Sequence, residues 1–163
     1  MQKQLNLPKA RGEKVWDTIG IGSYLATVIF LIIIWRQLPE QVPLHMGLTG
    51  HVDDWATKES LFLLPAISIP MFTLMHLLGK NPHVHNYPAR LNEKNAASFY
   101  LNSRKMINKI KNIMVLIFCF IEVEFSLIAL GWINDGHAWL MIIMVLAVFY
   151  PIAEGMMKQR KIK

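Results

Sequence analysis

The stretch Ile19–Trp35, IGIGSYLATVIFLIIIW, is seventeen residues long and contains no charged side chain. A helix of about 17–25 apolar residues can cross the hydrocarbon core of a bilayer. Three further windows are apolar apart from one or two titratable residues each: Leu61–Gly79, Ile113–Trp132 and Ala138–Gly155. Four such windows in 163 residues leave too little chain to cover them in a water-soluble fold. The sequence therefore predicts an all-α polytopic membrane protein with a single domain. Its transmembrane helices are expected at about residues 17–36, 61–79, 113–132 and 138–157.

Basic residues are concentrated on one side of these predicted helices. Of the 17 Lys and Arg residues, fifteen lie in the two tails or in the segment 80–112, and only Arg36 and Lys58 lie in the loop 37–60. The positive-inside rule places the side with more Lys and Arg in the cytoplasm. We therefore expect both termini and residues 80–112 in the cytoplasm and the loop 37–60 outside, with the protein in the plasma membrane. The net charge of +6 suits anionic lipid headgroups, so no nucleic-acid partner is predicted.

The segment 80–112 contains a helical pattern. After Asn92, which is placed as an N-cap, apolar and small residues recur at helical spacing, with Lys and Arg on the other face. The pattern predicts either an amphipathic helix on the inner membrane surface or a cytoplasmic extension of the third helix. In both cases its basic face would bind lipid headgroups or a cytoplasmic regulator.

The outer loop 37–60 is predicted to fold as a structured hairpin that turns at Gly47 and Gly50. Its side chains allow two interpretations: imidazoles and carboxylates bind divalent metal ions, or an aspartate caps a short helix leading to Lys58 while Trp55 anchors at the interface. The candidate binding residues are His45, Gly50, His51, Asp53, Asp54, Trp55 and Lys58. The metal-ligand candidates are His45, His51 and Asp53. No complete metal motif is present, so no cofactor is predicted. The His83–His85 pair alone supplies too few ligands for a metal site.

Four polar residues are predicted within the membrane or at its edge: Glu122, Glu124, His76 and Glu154. Glu122 is expected near mid-bilayer, where a charge costs about 3 kcal/mol unless it is paired, protonated or hydrated. Glu122 and Glu124 are two positions apart and cannot share one helix face, so at least one should point into the bundle. His76 and Glu154 have similar predicted depths, so we expect them to be in contact.

The outer loop resembles a known family. LPEQVPLHMGLTGHVDDWATKES is similar to the opening motif of the domain-of-unknown-function 1648 family, which occurs in SdpI-type bacterial immunity proteins. The matching positions are Leu38, Pro39, Pro43, His45, Gly50, Asp53, Trp55 and Lys58, and the similarity extends over about residues 20–115. The resemblance implies a small bacterial membrane protein that gives immunity to a toxin peptide or takes part in membrane signalling. This chain departs from the SdpI type in having four spans and no second conserved region.

Three functions remain open at this point. The chain is predicted to be a non-enzymatic protein that recognises a peptide or membrane-protein partner. One alternative is an ion- or proton-coupled transport subunit using Glu122 and Glu124, which would require a homo-oligomer or a partner subunit. The other is a metal-dependent membrane enzyme using His45, His51, Asp53 and Asp54.

Overall fold

A computed structural model of the chain describes residues 5–47 and 49–163, and Lys3 of the basic N-terminal tail lies outside them. The elements in chain order are α1 (Arg11–Ile34), β1 (Gln41–Met46), β2 (Val52–Thr57), α2 (Leu63–Lys80), α3 (Ala96–Ala129) and α4 (Ala138–Lys161). Short 3-10 turns, Lys58–Phe62 and Pro82–Val84, flank α2. All four α-helices are long and apolar enough to cross a membrane. The predicted fold class is confirmed, with the hairpin as a small two-stranded sheet.

Helix α3 is the centre of the bundle, because it packs against α1, α2, α4 and strand β1. The three outer helices expose large apolar side chains on their outward faces, among them Ile33, Leu74 and Leu146. Such surfaces are stable against lipid tails, which are as apolar as the side chains themselves. The polar residues of the membrane region are consequently concentrated on α3, where the other helices separate them from lipid.

Residues 96–112 form the first half of α3, so the structure supports the alternative of an extended third helix over that of a separate surface helix. The helix begins at Ala96, with Asn95 rather than Asn92 at the capping position. The Asn92 side chain instead accepts hydrogen bonds from the backbone N–H groups of Lys94 and Asn95. An asparagine that bonds the backbone in this way favours a turn, which explains why the helix starts later than predicted.

The connections gather at two opposite ends of the bundle. At one end, Arg104 donates to the carbonyl of Leu7 at 2.6 Å, and Arg90 donates to the carbonyl of Gln159, also at 2.6 Å. The N-terminal segment, residues 81–95 and the C-terminus therefore lie together. The β1–β2 hairpin and the turn between α3 and α4 lie at the other end.

The hairpin is antiparallel, and its register is irregular between Pro43 and Met46. Proline has no N–H group to donate to a partner strand, so regular pairing is interrupted there. The turn is closed by Gly50, whose φ of 91° is in the left-handed region that favours glycine. Strand β1 is the inner strand: Val42 and Met46 are buried in the cluster that also contains Leu31 and Leu61.

Candidate functional site

The hairpin and the α3–α4 turn are bonded into one unit, which we call the hairpin cap (residues 41–57 and 131–137). The N–H of Gly136 donates to the carbonyl of Gly50 at 2.9 Å. His51 pairs with Asp135, with 2.6 Å between Nδ1 and Oδ1. A Cβ atom at Gly136 would lie 2.1 Å from the sulfur of Met46, so this glycine packs directly against the Met46 side chain. The hairpin and the α3–α4 turn are therefore held together by hydrogen bonding, ion pairing and packing.

The outer surface of the cap carries most of the predicted binding residues. His45 and Asp53 pair across the two strands, with 2.5 Å between Nδ1 and Oδ1, and both side chains are exposed. Trp55 is two residues after Asp53 on β2, so both lie on the same face of that strand, and 49% of the Trp55 surface is exposed. Lys58 pairs with Glu40 at 2.8 Å. The cap thus presents polar groups and an aromatic ring on one surface.

The predicted helix-capping role of the aspartates is wrong. Asp53 and Asp54 lie within strand β2, and the 3-10 turn that begins at Lys58 is preceded by Thr57, which makes no side-chain cap. Asp54 instead accepts a hydrogen bond from the N–H of Trp55. The strand continues to Thr57 because its residues pair with β1, and this pairing leaves no room for an earlier helix start.

The candidate metal ligands are divided between two separate ion pairs. His45 pairs with Asp53, whereas His51 pairs with Asp135 of the other loop. In the part of the chain that the structure describes, no three His, Cys, Asp or Glu residues are grouped closely enough to hold a metal ion. Metal binding by His45, His51 and Asp53 stays a prediction, which metal analysis of the purified protein can test.

Glu124 connects the cap to α3. It is 2% exposed, and its Oε1 accepts hydrogen bonds from the backbone N–H of His137 at 2.9 Å and from Nδ1 of the same residue at 2.7 Å. These bonds hold the start of α4 against the end of α3. Glu124 therefore has a structural partner in His137. The sequence pattern did not predict this pair, because a turn separates the two residues and spacing along one helix does not relate them.

Glu122 is also buried, at 1% exposure, but it makes no hydrogen bond or ion pair with another described residue. It lies in the wall of a cavity of about 220 Å³ beneath strand β1. The remaining wall is mostly apolar and includes Leu61, Leu64, Phe125 and Met141. A buried polar group without a partner is costly, so this carboxyl group is the most unusual feature of the membrane region.

The structure shows where these two acids lie on α3. Both glutamates are buried, although they lie on different faces of α3, because the helix is surrounded by other elements. Glu122 lies seven residues before the end of α3 at Ala129, or about 10 Å along the axis. The helix ends earlier than predicted because Gly131, with a φ of 70°, turns the chain.

The expected contact between His76 and Glu154 is wrong. Glu154 pairs instead with Lys109 of α3 and Lys158 of its own helix, while His76 stacks on Phe72. The two residues are on α2 and α4, which pack on α3 and share no substantial contact. Similar predicted depth was therefore not enough to bring them together.

A buried ion network at the opposite end was not predicted. Lys111, only 1% exposed, pairs with Asp17 of α1 at 2.8 Å, and Asn108 and Asn112 also donate to this carboxylate. Next to it, Arg104 pairs with Glu13 at 2.8 Å. These cations face α1, which corrects the prediction that the basic face of residues 80–112 is exposed. The sequence feature that could have predicted this network is the pair of acids in the first turns of α1, Glu13 and Asp17.

His85 and Tyr87 close the connection between α2 and α3. Nε2 of His85 donates to the carbonyl of Leu78 at 3.0 Å, so Nδ1 accepts from the hydroxyl of Ser103 at 2.7 Å. Burial lowers the pKa of His85 below its usual 6.5 and raises the pKa of Tyr87 above its usual 10.0. His85 is thus used as a neutral structural group, and the described residues do not place a third metal ligand beside it.

These features define a class: a multi-pass membrane protein in which three apolar helices surround a fourth that carries buried polar side chains, and a β-hairpin covers one end. The family model "Domain of unknown function (DUF1648)" matches residues 23–69, which run from α1 through the hairpin into α2. The resemblance stated from the sequence is confirmed over that segment.

Among curated proteins, an uncharacterized protein of Archaeoglobus fulgidus is 32% identical over 80 residues, covering 48% of this chain. The chain spans 42% of the length of that relative. No solved structure matches the chain significantly.

Proposed function

We propose that this chain is a non-enzymatic membrane protein that recognises an extracytoplasmic peptide or protein partner through its hairpin cap. The observation that carries the proposal is the surface of the cap, where Trp55 is half exposed beside the His45–Asp53 pair. Aromatic residues next to polar groups are enriched in protein interfaces. Because Gly136 bonds the hairpin to the α3–α4 turn, and Glu124 of α3 bonds that turn at His137, the cap offers this surface with little conformational freedom to lose on binding.

Charge supports the orientation that the proposal requires. The described tails and the segment 80–112 lie at one end and contain nearly all the basic residues, so the positive-inside rule favours a cytoplasmic location for that end. In a bacterial plasma membrane the cap would then face outward, where a secreted peptide would meet it. The resemblance to SdpI-type proteins suggests immunity to a toxin peptide or membrane signalling as the biological role.

A cytoplasmic regulator would bind the basic segment 80–112. Burial of Arg104 and Lys111 leaves a smaller set of exposed cations for that contact, including Lys94 and Lys105. The apolar outer faces of α1, α2 and α4 suit lipid and would also suit a second copy of the chain.

Photo-crosslinking tests the recognition surface directly. We expect a benzophenone amino acid in place of Trp55 to give a discrete peptide or protein adduct in native membranes. The matched control is the same probe in place of Phe149, which is 59% exposed on α4 and should meet lipid. Adding Asp53→Asn to the Trp55 probe should reduce the adduct, because it removes the partner of His45. Identical adducts at the two probe positions would contradict the proposal.

A second candidate function is proton- or ion-coupled transport through Glu122. The unpartnered, buried carboxyl group favours it, whereas the bonds between Glu124 and His137 argue against the two glutamates acting as a relay pair. Proton flux in vesicles separates the candidates, since transport requires flux that Glu122→Gln abolishes.

A further inference from the structure

We propose that the cavity beneath strand β1 is a binding site for a primary alkylammonium group, with the carboxylate of Glu122 as its principal acceptor. The cavity lies between β1, the start of α2 and α3. Leu44 and His45, both exposed, contribute to its wall, so it reaches the surface at the hairpin cap. This site is distinct from the Trp55 surface of the proposed function, although a partner bound there could also occupy it.

The polar atoms in the cavity determine the charge of the ligand. Glu122 and Ser60 both line the cavity. Oε1 of Glu122 and the hydroxyl oxygen of Ser60 are buried, and neither has a hydrogen-bond partner among the described residues. A carboxylate only accepts, and an ammonium group supplies three donors. A neutral apolar ligand would leave the carboxylate without a partner, and an anion would be repelled by it. An ammonium group satisfies both oxygens.

The cation must come from a ligand, because the nearby cations are already engaged. Lys58, in the same 3-10 turn as Ser60, pairs with Glu40 and lies over the ring of Trp35. The imidazole of His137 is bonded to Glu124. Among the described residues, Glu122 therefore has no internal counter-ion.

The size and lining of the cavity determine the rest of the ligand. Its volume of about 220 Å³ exceeds the ~150 Å³ of an engineered apolar cavity that holds benzene. Leu61, Leu64 and Phe125 provide an apolar wall that suits a short alkyl stem. Two sources present this chemistry: a lysine side chain of a partner peptide, whose ammonium group is carried on a four-carbon stem, and the ethanolamine headgroup of a phospholipid.

Calorimetry on the full chain in phosphatidylcholine nanodiscs tests the site with n-pentylamine as the probe and n-pentanol as its neutral analogue. We expect saturable binding of the amine and binding of the alcohol at least tenfold weaker. Glu122→Gln should weaken amine binding about tenfold to a hundredfold, since hydrogen bonds to charged groups contribute about 1.5–3 kcal/mol. Glu59→Gln, which removes an exposed carboxylate beside Ser60, is the matched control and should change nothing.

Ser60→Leu gives a second test that does not depend on the buried acid. It should block the cavity and reduce amine binding while the thermal unfolding of the protein is maintained. Equal affinity for amine and alcohol, or an unchanged affinity in Glu122→Gln, would overturn the proposal.

Nanodiscs containing phosphatidylethanolamine distinguish the two sources. Competition with the amine would assign the site to the lipid headgroup, and unchanged amine affinity would assign it to a peptide side chain. These measurements use the protein alone. If the unaltered protein did not bind the amine but still gave Trp55 adducts, this inference would be rejected and the proposed function would stand.

Discussion

Replacing Gly50 by alanine is expected to detach the β1–β2 hairpin from the turn between α3 and α4. A Cβ atom at this position would lie 2.2 Å from the carbonyl oxygen of Gly136. The two loops must move apart to relieve this overlap, and the movement breaks the hydrogen bond between the N–H of Gly136 and the carbonyl of Gly50. Gly131→Ala is a matched control, since Gly131 also has a positive φ but a Cβ there would meet no atom within 4 Å.

The expected loss of stability has two parts in Gly50→Ala and one part in the control. A left-handed conformation costs a residue with a side chain about 1–2 kcal/mol, and both variants incur this cost. Gly50→Ala also loses a hydrogen bond, which contributes about 0.5–1.5 kcal/mol. We therefore expect the free energy of unfolding to fall by about 1.5–3.5 kcal/mol in Gly50→Ala and by about 1–2 kcal/mol in Gly131→Ala.

Two measurements check this prediction. Reversible unfolding in mixed detergent micelles gives the free-energy change. Hydrogen exchange in nanodiscs reports on the amide of Gly136, which should exchange faster in Gly50→Ala than in Gly131→Ala. If both variants exchange equally at Gly136, the bond between the loops is not what holds the cap, and the argument for a pre-organised recognition surface is refuted.

Three further predictions concern the buried polar groups. Asp17→Leu should lower the free energy of unfolding by about 3–5 kcal/mol, because it leaves Lys111 as a buried, uncompensated cation. In a double-mutant cycle, adding Lys111→Met should restore much of this loss. Additive losses in the two single variants would contradict the pairing. Glu124→Ala should speed amide exchange at His137 and lower stability by about 1.5–3 kcal/mol; unchanged exchange would show that the bond is unimportant. His85 has a pKa lowered by burial, so the unfolded chain binds its proton more readily. Its contribution to stability should be complete above pH 6.5 and decline as the pH falls below that value, and His85→Gln should remove this part of the pH dependence.

The membrane-crossing helices and the two ends of the bundle could be predicted from sequence. The helices depend on the transfer of apolar side chains into lipid, and the two ends depend on where the basic residues lie. An uncharged run such as Ile19–Trp35 has few alternatives to a lipid-crossing helix, and the loop with turn-forming Gly50 did fold as a hairpin. The central position of α3 could not be predicted in the same way. Lipid and protein interior are equally apolar, so hydropathy does not distinguish the surrounded helix from the three that face lipid. The glutamates of the third window predicted only that one of its faces points into the bundle.

Side-chain partners were predicted least well, because they depend on which helices are neighbours. His76 and Glu154 were matched by depth, but the two helices that carry them meet α3 rather than each other. The pair formed by Lys111 and Asp17 joins positions 94 residues apart. Spacing along one helix gives no information about such a pair, although a lysine and an aspartate at the same membrane edge are compatible with it.

The arrangement of charge along α3 distinguishes a structural role from a binding role. Near the basic end, Lys111 is matched by Asp17, so its burial is explained within the chain. Near the hairpin cap, Glu124 is matched by His137. Glu122 is as deeply buried as either, yet it lies in a cavity wall without a partner. A charge in the membrane region costs about 3 kcal/mol on insertion scales, and leucine at this position would avoid that cost. A ligand that donates hydrogen bonds to Glu122 would offset the cost of its buried charge, but only while the ligand is bound. This dependence on an external partner is expected of a residue in a ligand site and not of a packing residue.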